Sequence, residues 1–471
     1  MSLQNLMGIF QEIFSGQNEL QRNSQKQKNI VLHIAGNQIF TEKNICLIVK
    51  HVKLIQNIKS FELRFDEHTD LTEGCIKTLE GCIQNQTNTS YLTLNFGKSC
   101  KLGLNGMNIL IKSYLNLTQL VRLTLEIGRC NFLGYIGAKQ IGESLKNFRQ
   151  LKQFRLQISD QNDIGFQGAL EISQGLQCLK NLNQIDLDIH LSNKLTCIGY
   201  LSIQKALTQL DSLEVMSLQL QGQLQDVENS TEIQQIINSI QNVYSIQENL
   251  NHLCLIFKLP KRLEDVQIQQ FIFGINNMKK LQILEITFYS NQISNQGFVL
   301  IGEALKKQSK LLQLKLEFGE SNLINIYGQS SFLMSLGYLQ SLLKLELISS
   351  EFYDYANAID SISLALKYLK NLISFSVSAY KNKLTLQKIL ILATSISQKL
   401  NLKFLLLDFE LQNTTSIELI EFFQKINCLT QLQVLKIIFH IEGDVNINQK
   451  IVNKQVQRKN IRLILNQIKI N

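Results

Sequence analysis

The sequence predicts an α/β protein made by repetition, in which parallel strands alternate with helices in about fourteen strand-loop-helix units. Three observations carry this reading. The segment Leu123-Thr-Leu125-Glu-Ile127 is answered 31 residues later by Phe154-Arg-Leu156-Gln-Ile158. Each triplet is followed by an Asn (Asn131, Asn162) and then a Gly (Gly137, Gly168) at matching places. Within a unit the apolar spacing changes from every second residue to threes and fours, the periods of a strand and of a helix.

Taking the middle apolar residue of each triplet as an anchor gives Leu32, Leu63, Leu94, Leu125, Leu156, Leu187 and Leu218 at steps of 31. One step of 37 follows. The series then resumes at Leu255, Ile286, Leu316, Leu347, Val377, Leu407 and Ile437, with steps of 30 or 31. Around the anchors the pattern is that of a strand with one buried face, as in Phe61-Glu-Leu63-Arg-Phe65 and Ile185-Asp-Leu187-Asp-Ile189. The long step places about six extra residues in the polar run from Gln221 to Glu232, dividing the array into two sets of seven.

The helices come next in each unit. A Gly recurs twelve residues after the anchor (Gly106, Gly137, Gly168, Gly199, Gly328) and is expected to open the helical segment. From there Ile141, Leu145, Phe148 and Leu151, or Ile172, Leu176, Leu179 and Leu182, form one buried stripe. Neither element can bury its apolar face alone, so parallel strands joined by crossover helices follow.

With these residues the chain resembles leucine-rich-repeat proteins, specifically the long ribonuclease-inhibitor-like class with a helix in every repeat. Leu120-x-x-Leu123-x-Leu125 and its counterparts match the L-x-x-L-x-L part of that signature, over roughly residues 28–447. The signature Asn stands six residues after the last Leu (Asn131, Asn162, Asn193, Asn322) instead of three, which marks a variant with a longer loop. The resemblance implies a right-handed solenoid, a horseshoe with strands on the concave face. It implies binding of another protein more than any chemistry, because this family binds diverse partners.

At the ends, residues 1–27 hold Leu3, Leu6, Met7, Phe10, Ile13 and Phe14 at helical spacing, an amphipathic helix suited to cap the first strand. Residues 448–471 carry six Lys or Arg between Lys450 and Lys469 and no acid, with Ile461, Leu463 and Leu465 alternating as in a terminal cap strand. The first twenty residues lack the basic region and unbroken apolar core of a secretory signal. No run of about 18 apolar residues is present, so no membrane span is expected. Nine Cys without a C-x-x-C pair read as free thiols in a reducing compartment, the cytoplasm or nucleus.

Motifs for chemistry are few. Gly97-Lys98-Ser99 lacks the earlier Gly of a phosphate-binding loop, since Leu92 stands there. The six His are scattered and no Cys stands at ligand spacing, so neither a metal nor another cofactor is expected, and the chain reads as non-enzymatic. The remaining enzyme-related reading is a regulator of a small GTPase, acting through loop-edge residues such as Arg129.

Binding residues are sought between the anchors, on the sheet face turned away from the core. There the row contains Glu62, Glu126, Asp186, Asp188, Glu285, Glu317, Glu346 and Asp408 against Arg64, Arg155, Lys315 and Lys436, a net −4 in a chain of net +9. The second half adds exposed apolar residues, Ile256, Ile348, Leu406 and Ile438. Nucleic acid is not an expected partner, because aromatics do not interleave the basic residues and the bases are not gathered on one motif.

Overall fold

The computed structural model of the chain describes chiefly residues 28–34, most of 45–221, most of 247–442, and 462–464. The expected capping helix over residues 3–14, the extra loop residues after Gln221 and most of the basic C-terminal stretch lie outside the described residues. Two compact units are present: Met1–Leu213 with Gly222–Glu228, and Glu214–Gln221 with Asn229–Asn471.

In the first unit the described elements are β1 Lys28–Ile34, β2 Ile58–Phe65, α1 Glu73–Ile83, β3 Tyr91–Phe96, α2 Gly103–Tyr114, β4 Arg122–Ile127, α3 Gly134–Leu145, β5 Gln153–Ile158, α4 Gly165–Leu176, β6 Gln184–Ile189 and α5 Cys197–Leu207. The second begins with β7 Val215–Gln221 and β8 His252–Lys258. It continues with α6 Asp265–Asn277, β9 Ile283–Phe288, α7 Asn295–Lys306, β10 Gln313–Phe318 and α8 Ile326–Ser335. After β11 Lys344–Ser349 come α9 Tyr355–Tyr368, β12 Ser374–Thr385, α10 Leu386–Ser397, β13 Phe404–Gln412, α11 Ser416–Ile426, β14 Val434–Glu442 and β15 Arg462–Ile464. Within each unit neighbouring strands in sequence are neighbours in the sheet, all parallel, as a strand-helix repeat solenoid requires.

Each of the fourteen anchors lies on a strand, from Leu32 in β1 to Ile437 in β14. From Leu63 onward all of them are buried, while Leu32 in β1 is half-buried. The residue two after the anchor adds a second buried row, in which Phe65 stacks on Phe96 with ring centroids 5.3 Å apart and Phe288 on Phe318 at 5.9 Å. The division between units differs from the seven-plus-seven expectation. The strand of Leu218 belongs with the second unit, where it pairs residue for residue with β8 from Val215↔His252 to Gln221↔Lys258.

The helices start two or three residues earlier than the Gly spacing implied. In α2, α3 and α4 the first residue is Gly103, Gly134 or Gly165, each with a positive φ that lets the chain turn from the loop into the helix. Gly106, Gly137 and Gly168 stand one turn further in. There a Cβ on Gly168 would come within 2.7 Å of the Ala138 side chain on α3, so the glycine marks close helix contact and not a helix start. The same closeness recurs where α3 meets α4: a Cβ on Gly175 would lie 2.2 Å from the Gly142 carbonyl oxygen.

The helices also end earlier, α3 at Leu145. Phe148 and Leu151 keep helical spacing because Phe148 N donates to Leu145 O at 3.1 Å and Leu151 N to Phe148 O at 3.0 Å, a run of tight turns that tucks both side chains into the core.

Candidate binding surface on the open sheet face

Because side chains alternate along a strand, burying the anchors turns the residues before and after them to the opposite, open face. Pairing in register then sets them in two columns. In the first unit one column runs Glu62, Thr93, Thr124, Arg155, Asp186, and the other Arg64, Asn95, Glu126, Gln157, Asp188. In the second unit the columns run Cys254, Glu285, Lys315, Glu346, Ser376, Leu406, Lys436, and Ile256, Thr287, Glu317, Ile348, Ser378, Asp408, Ile438.

The charges on this face are engaged along the sheet. Arg155 Nε donates to Glu126 Oε1 at 2.7 Å, and its Nη1 bonds Asp186 on the next strand, so one guanidinium spans three strands. Asn95 donates to the second oxygen of Glu126, and Arg64 pairs with Glu62 on its own strand. Partial burial works against the Arg155 charge, but Asp186 and then Glu126 outweigh it and hold its pKa above the ordinary value.

In the second unit Glu346 lies 3.7 Å from both Lys315 and Lys344, and Glu285 3.8 Å from His252. Asp408 accepts from Ser378 Oγ at 3.0 Å and lies 3.4 Å from His440. Glu317 accepts from Thr287 Oγ1 at 3.3 Å. Burial, only partly opposed by Glu285, depresses the pKa of His252. Most of the row's acids are thus engaged by a base, a histidine or a hydroxyl on the same face, although the row keeps an excess of negative charge.

Asp188 corrects the expectation most directly. The alternation puts it among the exposed partner-binding acids, yet it is 6% exposed. A short carboxylate set beside the longer Gln157 in a sheet with strands about 4.8 Å apart is covered by its neighbours. Glu62, Glu126, Asp186, Ile256, Glu285, Glu317, Ile348, Leu406 and Asp408 are half-buried on the open face, the apolar ones shielded by the same lateral crowding.

Two further residues belong to the surface. Strands β13 and β14 begin three residues before their anchors, where Phe404 and Val434 face each other in register. Both are half-buried on the open side, and Phe404 stands two residues before Leu406 on its strand, so the three make an apolar patch. Counting alternation one step further back from each anchor would have found them.

The loop edge carries the remaining polar order. Asn131, Asn162 and Asn193 are fully buried. Asn162 Nδ2 donates to Gly128 O at 3.0 Å and Ser159 O at 2.9 Å, and its Oδ1 accepts from Asn131 N at 3.2 Å; Asn193 repeats the pattern toward Asn162 N at 2.8 Å. The longer loop thus keeps an Asn ladder. It also uses non-glycine residues of positive φ, Cys130 and Phe132 or Gln161 and Asp163, two apart in each loop. Arg129 lies on this edge, its Nε 3.0 Å from Asp160 and 3.2 Å from Gln161, so its guanidinium is tied to the next repeat.

Among the described residues no group of three or more His, Cys, Asp or Glu is placed to hold a metal ion, and no helix is long and apolar enough to cross a membrane. Compared with known proteins, the chain matches no family model and no curated sequence.

Proposed function

We propose that the chain is a non-catalytic scaffold of the leucine-rich-repeat type that binds another protein on the open sheet face inside the cell. The L-x-x-L-x-L spacing and the alternation of parallel strands with helices support the family reading. The observation that carries the function is the patch of Phe404, Leu406 and Val434 on adjacent strands, with Ile438 on β14 and Ile348 two strands before β13. Rigid strands offer apolar side chains there beside Lys436 and the Asp408–His440 pair, the mix of apolar centre and polar surround that protein interfaces use. Free thiols, such as the exposed Cys178 and Cys428, agree with a reducing compartment.

The test is site-specific photocrosslinking in a cell extract, with the crosslinker at Leu406 or Ile438 on the sheet and at the exposed Ile417 on α11 as control. The reading expects one discrete protein adduct from the sheet positions, lost when Ile348→Lys and Phe404→Lys are introduced together. Adducts from Ile417 alone would place the partner on the helices instead.

A further inference from the structure

In the second unit the loops that return from each helix to the next strand lie side by side, because they precede neighbouring parallel strands. Their backbones are tied in a continuous series: Leu312 N donates to Gln282 O at 2.8 Å, Leu343 N to Leu312 O at 2.8 Å, Ile373 N to Leu343 O at 2.8 Å and Lys403 N to Ile373 O at 2.8 Å. Five of the six stretches, 277–283, 305–313, 335–344, 366–374 and 396–404, hold ten Lys and no Asp, Glu, Arg or His, while the sixth, 426–434, has no charged residue. Lys306 and Lys344 are paired with Glu303 and Glu346, and the other eight lysines leave this edge strongly basic.

Helix dipoles do not account for this excess. Each helix C-terminus presents roughly half a negative charge, so five ends would be balanced by two or three lysines. Compositional bias toward Lys does not account for it either, since the helix surfaces of the same unit mix signs, as in Lys388 with Asp360 and Lys425 with Glu421. Among the described residues no ion pair engages Lys279, Lys307, Lys310, Lys367, Lys370 or Lys403, all of them exposed. Lys399 shows the crowding: burial first, and then Lys370, hold its pKa below the usual lysine range.

Two aromatic rings lie within these same stretches, Tyr338 in 335–344 and Tyr368 between Lys367 and Lys370. Tyr338 is 64% exposed and Tyr368 63%. They stand at the same turn of consecutive repeats, and the Tyr368 ring lies against Gly337, next to Tyr338, where a Cβ would be 3.2 Å away. Lys306 Nζ sits 5.0 Å from the centre of the Tyr338 ring.

We propose that this edge of the second unit binds single-stranded nucleic acid, with the lysine row following the phosphates and Tyr338 and Tyr368 stacking on bases. A basic track with exposed aromatics is the arrangement that holds single strands without reading sequence. Lysine as the sole cation fits that role, because a compact ammonium neutralises phosphate while arginine's planar fork is what reads base edges. The expectation against nucleic acid rests on aromatics not interleaving the basic residues and on the bases not being gathered on one motif; Tyr368 does stand between Lys367 and Lys370, and stacking of the repeats gathers the lysines along one edge. This surface is separate from the open sheet face and stands or falls independently of a protein partner there.

The test is fluorescence anisotropy of the full chain with a labelled 20-nucleotide single-stranded RNA of mixed sequence. The same RNA as a duplex, phosphatidylserine vesicles and a polyglutamate peptide serve as competitors. Binding is expected to weaken on the order of 100-fold between 50 and 200 mM salt if about five phosphates are engaged. Replacing Lys307, Lys310, Lys367 and Lys370 together by Gln should remove it, and Tyr338→Ala with Tyr368→Ala should weaken it about tenfold, with circular dichroism unchanged in both. No salt-sensitive binding, or binding undiminished by the four lysine changes, would overturn the proposal. So would better competition by duplex, vesicles or polyglutamate than by unlabelled single strand, or full affinity in the tyrosine variant.

Discussion

Leu156 and Arg155 are adjacent in the chain and face opposite sides of one strand, so they separate the roles of the two faces. Leu156→Asp would bury a charge with no partner and is expected to cost several kcal/mol, comparable with the stability of a whole domain. Arg155→Ala leaves Glu126 and Asp186 facing each other half in water, and after solvent screening about 1 kcal/mol is expected. Urea midpoints of the two variants check this, and equal shifts would contradict the face assignment. His252 gives a pH signature. Its folded pKa lies below the unfolded value of about 6.5, so the unfolded chain takes the proton first and stability falls as pH drops from about 6.5 toward the folded pKa. His252→Gln should flatten that part of a stability-pH curve. Among the thiols, burial pushes Cys82 up to about 12 and Cys100 up to about 11. Iodoacetamide on the native chain should therefore modify Cys178 and Cys428 and spare these two, as read by peptide mass.

At the scale of one element, the loop between strand and helix does more than connect them. Positive φ at residues other than glycine costs roughly 1–2 kcal/mol each, and the loops after β4 and β5 carry two apiece. The Asn ladder offsets this, since one buried side chain satisfies two carbonyls and an amide across repeats. Asn162→Ala is expected to cost about 3 kcal/mol, against under about 1 for Asn181→Ala, whose bond to Arg149 O is exposed. Thermal melts of the pair check it. Gly175→Ala should also destabilise, by about 1–3 kcal/mol, because its Cβ would force α3 and α4 apart. Strands and anchors were legible because burial of one face imposes a period of two on the residues themselves. The loop was not, because its turns at Cys130, Phe132, Gln161 and Asp163 stand in a frame of hydrogen bonds between repeats, such as Gly134 N to Asn162 O and Asn131 N to Asn162 Oδ1, which leave no mark on those residue types. Helix ends were misread for a related reason: tight turns after Leu145 reproduce helical spacing at Phe148 and Leu151 without a helix.

For the molecule as a whole, repetition turns small local choices into extended surfaces. A residue type placed once per 30 or 31 positions becomes a row, and three rows differ in character. The anchors are uniformly apolar and hold each unit together. The open face carries charges paired between strands with apolar side chains gathered near β13 and β14. The return edge of the second unit gathers lysines with two tyrosines. The candidate residues of the first two rows were legible because they sit at fixed offsets from the anchors. Their burial and pairing were not, since a sequence reports which way Asp188 or Glu126 points but not the side chains beside it. The basic edge escaped notice because its lysines vary in offset from repeat to repeat and converge only when the strands are stacked. Both surfaces depend on the repeat itself, and peptide-level hydrogen exchange of the isolated chain tests it most directly. Slowly exchanging amides are expected to recur every 30 or 31 residues on the strands from β3 to β6 and from β8 to β14, with faster exchange in the exposed turns between them. Protection without that period, or slow exchange confined to stretches that omit the anchors, would contradict it.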